Sequence, residues 1–303
     1  MKQRFWLSLL AVVCLMTACS RPDAFSSFRK IDSHMHLVTM DEAIVKQAKA
    51  DGFRLVTIVT GSTKPDEIAR EREIAMAQQQ AHPKTVSWIT TFAIEGFEEQ
   101  GWLEKTVAGL QQDFARGAIA VKVWKDFGME IRDRSGAFVM IDDPRLHGLF
   151  DFIESSGKPL VAHIGEPRNC WLPLEEMTVN NDRRYFKRHP EYHMYLHPDY
   201  PGYDAQIASR DHLLEKHPGL TMIGAHLGSL EYDVSELAKR LDKYPRFCVD
   251  MSARICHFQV QDRNKVRAFI EKYQDRLLYA TDSVFTDEQT LWQAAREDRK
   301  SVV

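Results

Sequence analysis

In the stretch "RKIDSHMHLVTM", residues 29–40, two histidines flank a single methionine. Side chains of a β-strand alternate between its faces, so His34 and His36 aim at one spot and Asp32 shares their face. Two imidazoles converging on a point is how a metal ion is held. The plainer alternative is a pair of ordinary polar residues at a strand end, and the spacing alone does not separate the two. The rest of the chain has to decide.

Further polar groups stand in or at the ends of apolar runs. Lys122 lies inside "AIAVKVW", His163 ends "KPLVAHIG", His226 ends "LTMIGAHLG", and Asp282 ends "LLYATDS". Each alone has a dull explanation, such as a satisfied structural histidine, or an aspartate capping the next helix. Together they are harder to dismiss, because burying so many nitrogens and carboxylates without a shared partner is costly. A divalent cation supplies that partner. Imidazoles with a carboxylate suit zinc first, then manganese or iron.

The elements that must position these groups alternate along the chain. "KIDSHMHL" reads as a strand and "DEAIVKQAKADG" as a helix; "FRLVTIVTG" then precedes the long helical "PDEIAREREIAMAQQQAHP". The alternation runs through eight strand–helix pairs, the last being "LLYATDS" and "TDEQTLWQAARED". Continuous apolar strands imply a parallel sheet buried on both faces. Eight of them predict a single α/β domain, a (β/α)8 TIM-type barrel over residues 30–303, with its site at the C-terminal strand ends. Those are the ends that carry the polar groups. A hairpin-like "KDFGMEIRDRSGAFVMI" interrupts the alternation after strand four, and a long insertion follows strand five.

The His-x-His on strand one, the histidines ending strands five and six and the aspartate ending strand eight resemble, in order, the amidohydrolase superfamily. The likeness is strongest to its amidohydrolase-related group, which includes metal-dependent decarboxylases, and it spans the barrel from "KIDSHMH" to "YATDS". The resemblance implies that His34, His36, His163 and Asp282 are metal ligands. It leaves His226 as a ligand of a second metal or a catalytic group polarising the substrate. It also implies that Lys122 is either a carboxylated bridge between two metals or a cation facing a substrate carboxylate, with a slight lean to one metal. A metal at such a mouth lowers the pKa of bound water to about 7, with Asp282 as general base. Hydrolysis of an amide, ester or lactone-like bond in a small carboxylated substrate is the first reading. Decarboxylation, or an exported binding protein without turnover, are the alternatives.

The insertion "EPRNCWLPLEEMTVNNDRRYFKRHPEYHMYLHPDYPGYD" is rich in aromatics and cations. A loop of that length in a compact domain is usually functional, so it is expected to lid the mouth. Arg168 and Trp171, nearest His163 in sequence, are the expected substrate contacts, with Trp124, Lys125 and Arg254 as further candidates. His189, His193 and His197 lie four apart, which on one helix would share a face, although no carboxylate is clearly placed with them. His82 and His217, each before a proline, read as helix ends.

Composition narrows the class. With 303 residues, 44% of them hydrophobic, and a net charge of −3, the chain has ample core and no basic face implying nucleic acid. "MKQRFWLSLLAVVCLMTAC" has a charged start, a short apolar run and small residues before Cys19, the pattern of a signal peptide over 1–19. "LMTAC" resembles a bacterial lipobox, which implies cleavage before Cys19, a lipid on its thiol, and a tether through residues 20–29 to the membrane of the cell envelope. The plain alternative is a signal peptide without lipid. Cys170, Cys248 and Cys256 remain, too few and too scattered for a disulfide framework. A small-molecule substrate is the expected partner, and a homo-oligomer is compatible with the sequence. The charged ending "AAREDRKSVV" stops short of the helices usual for this resemblance, so a weakened barrel closure is also expected.

Overall fold

A computed structural model of the chain describes residues 28–61 and 63–287. Strands β1 (Lys30–Val38), β2 (Phe53–Ile58), β3 (Val86–Thr90) and β4 (Ala118–Val123) alternate with helices α1 (Ala43–Ala50), α2 (Pro65–Ala81) and α3 (Trp102–Ala115). Helix α4 (His147–Ser156) leads to β5 (Leu160–Ala162), and the insertion carries α5 (Asn180–Arg188) before α6 (Tyr203–Lys216). Then follow β6 (Met222–Gly224), α7 (Val234–Lys243), β7 (Phe247–Asp250), a short α8 (Ile255–Gln259), α9 (Arg263–Tyr273), β8 (Leu277–Leu278) and β9 (Val284–Thr286). Every named strand pair is parallel, in the order β8-β7-β6-β5-β4-β3-β2-β1-β9.

The two strands at the ends of that order are halves of one split eighth strand. β8 pairs with β7 and β9 with β1, and the residues between them also bond to β1. Ser33 N–H donates to Tyr279 O at 3.1 Å, Asp282 N–H to His34 O at 2.8 Å, and His36 N–H to Ser283 O at 2.8 Å. The architecture is the α/β, TIM-type barrel expected from the alternation, with its long insertion after strand five. The expected hairpin after β4 is present as an antiparallel bridge between Arg132 and Phe138. The signal segment, residues 20–27 of the linker, and residues 288–298 of the eighth helix lie outside the described residues. Among the described residues no helix is long and apolar enough to cross a membrane.

Strand alternation explains which way each group faces. In β1, Met35 and Leu37 pack with Val45 and Ala48 of α1 and with Leu55 and Val86, so the helices cover that face and His34 and His36 take the other. The barrel interior is filled by Val56, Ile58, Ile89, Ala120 and Val161, with Ile223 against them. Lys122 and His163 stand two residues beyond Ala120 and Val161, hence on the same inward face one layer nearer the mouth. Their neighbours Val121, Val123, Leu160 and Ala162 belong to the large outer cluster beneath the helices.

Candidate active site at the barrel mouth

His34, His36, Lys122, His163, His226 and Asp282 all line one cavity of about 520 Å³, together with Trp124, Lys125 and Arg254. That volume suits a small-molecule site. The Asp282 carboxylate is the meeting point. Its Oδ1 lies 3.2 Å from His36 Nε2 and 3.4 Å from His34 Nε2, and its Oδ2 lies 3.8 Å from His226 Nε2. His34, His226 and Asp282 each offer a ligand atom within 4.8 Å of the other two. Asp282 is also the accessible member, with its side chain 31% exposed against 2% for His34.

Three of the imidazoles are oriented from behind. His34 Nδ1 meets Asp250 Oδ2 at 2.9 Å, His36 Nδ1 meets Ile58 O at 3.1 Å, and His226 Nδ1 meets Ser252 O at 3.0 Å. Carboxylate and carbonyl oxygens only accept, so in His34 and His226 Nδ1 carries the proton and Nε2 presents its lone pair to the cavity, while His36 stands between two acceptors, Ile58 O and the Asp282 carboxylate. This is the outer support that metal-ligating histidines have. His163 Nε2 is buried without a hydrogen-bond partner, and its ring stands edge-on to His226 with centroids 4.4 Å apart. Imidazole nitrogens gathered around one carboxylate, with an orphaned nitrogen beside them, are a donor set that fits a borderline divalent ion.

The electrostatics follow from burial. Desolvation and the nearby Lys122 ammonium lower His34; desolvation takes His163 well below the usual range, with His226 adding to it. His226 falls to about 3, mainly through desolvation and then Arg254. His34, His163 and His226 are therefore neutral, as ligands must be. For Asp282 desolvation works the other way, yet the His36 hydrogen bond and the surrounding imidazoles hold it below the ordinary carboxylate range. Lys122, fully buried, has Nζ 3.5 Å from His34 Nε2. Desolvation brings it down to about 8, against the pull of Asp250 and Asp282.

The backbone is strained at this rim. His226, Leu227 and Ser229 have φ of 57°, 60° and 57°, and Ala253 and Asp282 have 54° and 59°. Non-glycine residues held in the left-handed region cost on the order of 1–3 kcal/mol each and cluster at functional sites. The run after β6 turns the His226 ring over the mouth, and the His226 backbone N–H donates to Asp250 Oδ1 at 3.0 Å.

Three expectations need correcting. Asp32 does not join the histidines, because β1 shifts register between Asp32 and Met35; it instead accepts from Thr281 Oγ1 at 2.6 Å and from Thr281 N–H at 3.1 Å. Arg168 and Trp171 do not line the cavity. The 3-10 turn Arg168–Trp171 carries the Arg168 guanidinium 4.5 Å over the Tyr232 ring and lets Trp171 Nε1 donate to Pro201 O at 3.3 Å. His189, His193 and His197 sit on successive short 3-10 turns rather than one helix face; each bonds separately, to Glu191, Leu172 O and Pro190 O.

Other lining residues went unread. Glu166 pairs with Lys125, and α5 brings Asn181, Asp182, Tyr185 and Phe186 to the wall. Burial opposes the Lys125 charge, but the Glu166 carboxylate and its hydrogen bond raise the ammonium above its usual value. Asp250, the group behind His34, ends the apolar "FCVD" as Asp282 ends its own strand, so the same strand-end signal would have found it.

The chain belongs to the amidohydrolase family: the family model so described matches residues 31–300. No curated protein matches it. Among solved structures it is similar to a 2,6-dihydroxybenzoate decarboxylase from Rhizobium, at 14% identity and a TM-score of 0.56, over 84% of this chain and 87% of that one. It is also similar to a 2,6-dihydroxybenzoate decarboxylase complexed with 2,6-dihydroxybenzoate, at 15% identity and a TM-score of 0.52, over 80% of this chain and 76% of that one. At these identities the likeness is one of fold.

Proposed function

We propose that the chain is a metal-dependent hydrolase holding one divalent ion, zinc first and manganese or iron next, at the barrel mouth, and acting on a small, planar, carboxylated substrate. The observation that carries this reading is the convergence of three imidazole Nε2 atoms, of His34, His36 and His226, on the Asp282 carboxylate. His34, His36, His226 and Asp282 would hold the ion, and His163 would complete its shell or polarise the substrate. An ion so held supplies Lewis acidity and brings a water within reach of ionisation at about pH 7. Asp282, ionised and partly exposed, is the group able to take a proton during attack on the scissile carbonyl.

Arg254 is the substrate-facing cation this reading favours, because Lys125 is already committed to Glu166 and Arg254 Nε makes no hydrogen bond. Trp124, Tyr185 and Phe186 offer faces for a planar group. Lys122 is read as a fixed positive charge beside one ion rather than as a bridge between two. Export, with a lipid on Cys19 and residence in the cell envelope, is proposed from residues 1–19 alone.

Decarboxylation is the second reading, favoured by the fold shared with proteins described as 2,6-dihydroxybenzoate decarboxylases. Incubating the purified chain with carboxylated esters, lactones and amides, and separately with hydroxybenzoates, separates the two. Acid release that is lost in Asp282→Asn supports hydrolysis. Carbon dioxide release with no hydrolysis moves the assignment to the lyase, and neither product in a folded, metal-loaded chain sinks both.

A further inference from the structure

We propose a second cation site, separate from the mouth, formed by His217, Asp151 and Glu154 on the outer wall of the barrel. His217 caps the end of α6 that hands the chain to β6, so the site lies away from the strand ends that carry the mouth. Asp151 and Glu154 stand three residues apart on α4, hence on one face of that helix.

The geometry points to a ligand rather than to a simple ion pair. His217 is 1% exposed. Its Nδ1 is buried and makes no hydrogen bond, although Asp151 Oδ1 and Glu154 Oε2 lie 3.3 and 3.4 Å away. A protonated Nδ1 would aim its hydrogen at one of those oxygens, and at neither is the contact a hydrogen bond. Donors at about 2.1 Å from a tetrahedral zinc stand about 3.4 Å from one another, the spacing found here. All three ligand atoms lie within 4.8 Å of each other.

The surroundings complete the arrangement. His217 Nε2 meets His147 Nδ1 at 3.3 Å; with Nε2 as donor, the Nδ1 lone pair faces the two carboxylates, the support expected of a ligating imidazole. Glu154 is fixed in turn, since its Oε1 accepts from Gly219 N–H at 2.5 Å. Asp151, with its side chain 70% exposed, leaves an open side for solvent ligands. One nitrogen and two carboxylates suit zinc or a similar borderline divalent ion, which would tie α4 to the α6–β6 turn.

The test counts zinc by mass spectrometry in the full chain equilibrated with zinc alone. Asp151→Asn changes one exposed group and leaves turnover untouched. The wild type is expected to hold one more ion per chain than Asp151→Asn. An Asp282→Asn chain is expected to keep one ion that the double variant loses, and zinc is expected to raise its unfolding midpoint only while Asp151 is present. Equal counts in wild type and Asp151→Asn would overturn the proposal, and so would a folded Asp282→Asn chain that binds no zinc. Should Asp282→Asn fail to fold, the first comparison decides alone.

Discussion

Glu231 is a buried carboxyl whose ionisation should weaken the fold. It is 1% exposed, its Oε1 accepts the Arg168 N–H at 2.8 Å, and its Oε2 is buried without a hydrogen-bond partner. Desolvation pushes its pKa from 4.5 up to about 7, only partly offset by Arg254. Because the folded value lies above the unfolded one, the native state keeps the proton over a range where the unfolded chain has lost it. Stability is therefore lost as pH rises from about 4.5 to about 7, the reverse of the usual carboxylate.

A rise of about 2.5 units, at 1.36 kcal/mol each, is about 3 kcal/mol. Glu231→Gln keeps the acceptor for Arg168 and cannot ionise. It should match the wild type near pH 4.5 and exceed it by about 3 kcal/mol at pH 8. At about 2.1 cal/mol/K per residue, a chain of this size unfolds with roughly 0.6 kcal/mol/K, so the gain is about 5 °C in Tm. Urea or thermal unfolding of both chains between pH 4.5 and 8 measures it. A difference that stays flat with pH, or that favours the wild type as pH rises, would mean that Glu231 does not hold its proton in the folded chain.

Other outcomes follow from the site. Asp250→Asn keeps the size of the group behind His34 Nδ1 but removes its charge, and metal affinity read by chelator competition should fall roughly 10–100-fold. In the Asp151→Asn background, Lys122→Met should leave the metal count at one per chain; a fall from two to one there would make Lys122 a bridging ligand. A Cβ on Gly224 would stand 2.9 Å from both Gly228 Cα and the Phe247 ring, so Gly224→Ala should cost roughly 1–3 kcal/mol in denaturant unfolding. Arg254→Met should raise KM for carboxylated substrates with less effect on kcat, and an unchanged KM would remove Arg254 from the binding wall.

Much of this was legible in the residues because strand geometry is local. Alternation along β1 puts Met35 and Leu37 under the helices and His34 and His36 inside, and the same rule places Lys122 above Ala120 and His163 above Val161. What escaped depends on contacts that no period encodes. The Asp32 side chain is diverted by a register shift and captured by Thr281, on the far side of the barrel closure. Arg168 and Trp171 are close to His163 in sequence, but a 3-10 turn sends them to Tyr232 and Pro201, while α5 supplies the wall from further along the insertion. His217 was read as a helix end, and it is one. Its carboxylate neighbours come from α4, roughly 65 residues earlier in the chain, so no local pattern announces them.

On the proposed function, three oriented imidazoles and Asp282 hold one divalent ion at the mouth. Metal content per chain, measured in the Asp151→Asn background after dialysis against metal-free buffer, tests it most directly. About one ion, lost when His34→Ala and Asp282→Asn are added and the chain still folds, is the result predicted. A folded chain holding no ion, or holding one that survives both substitutions, would contradict it.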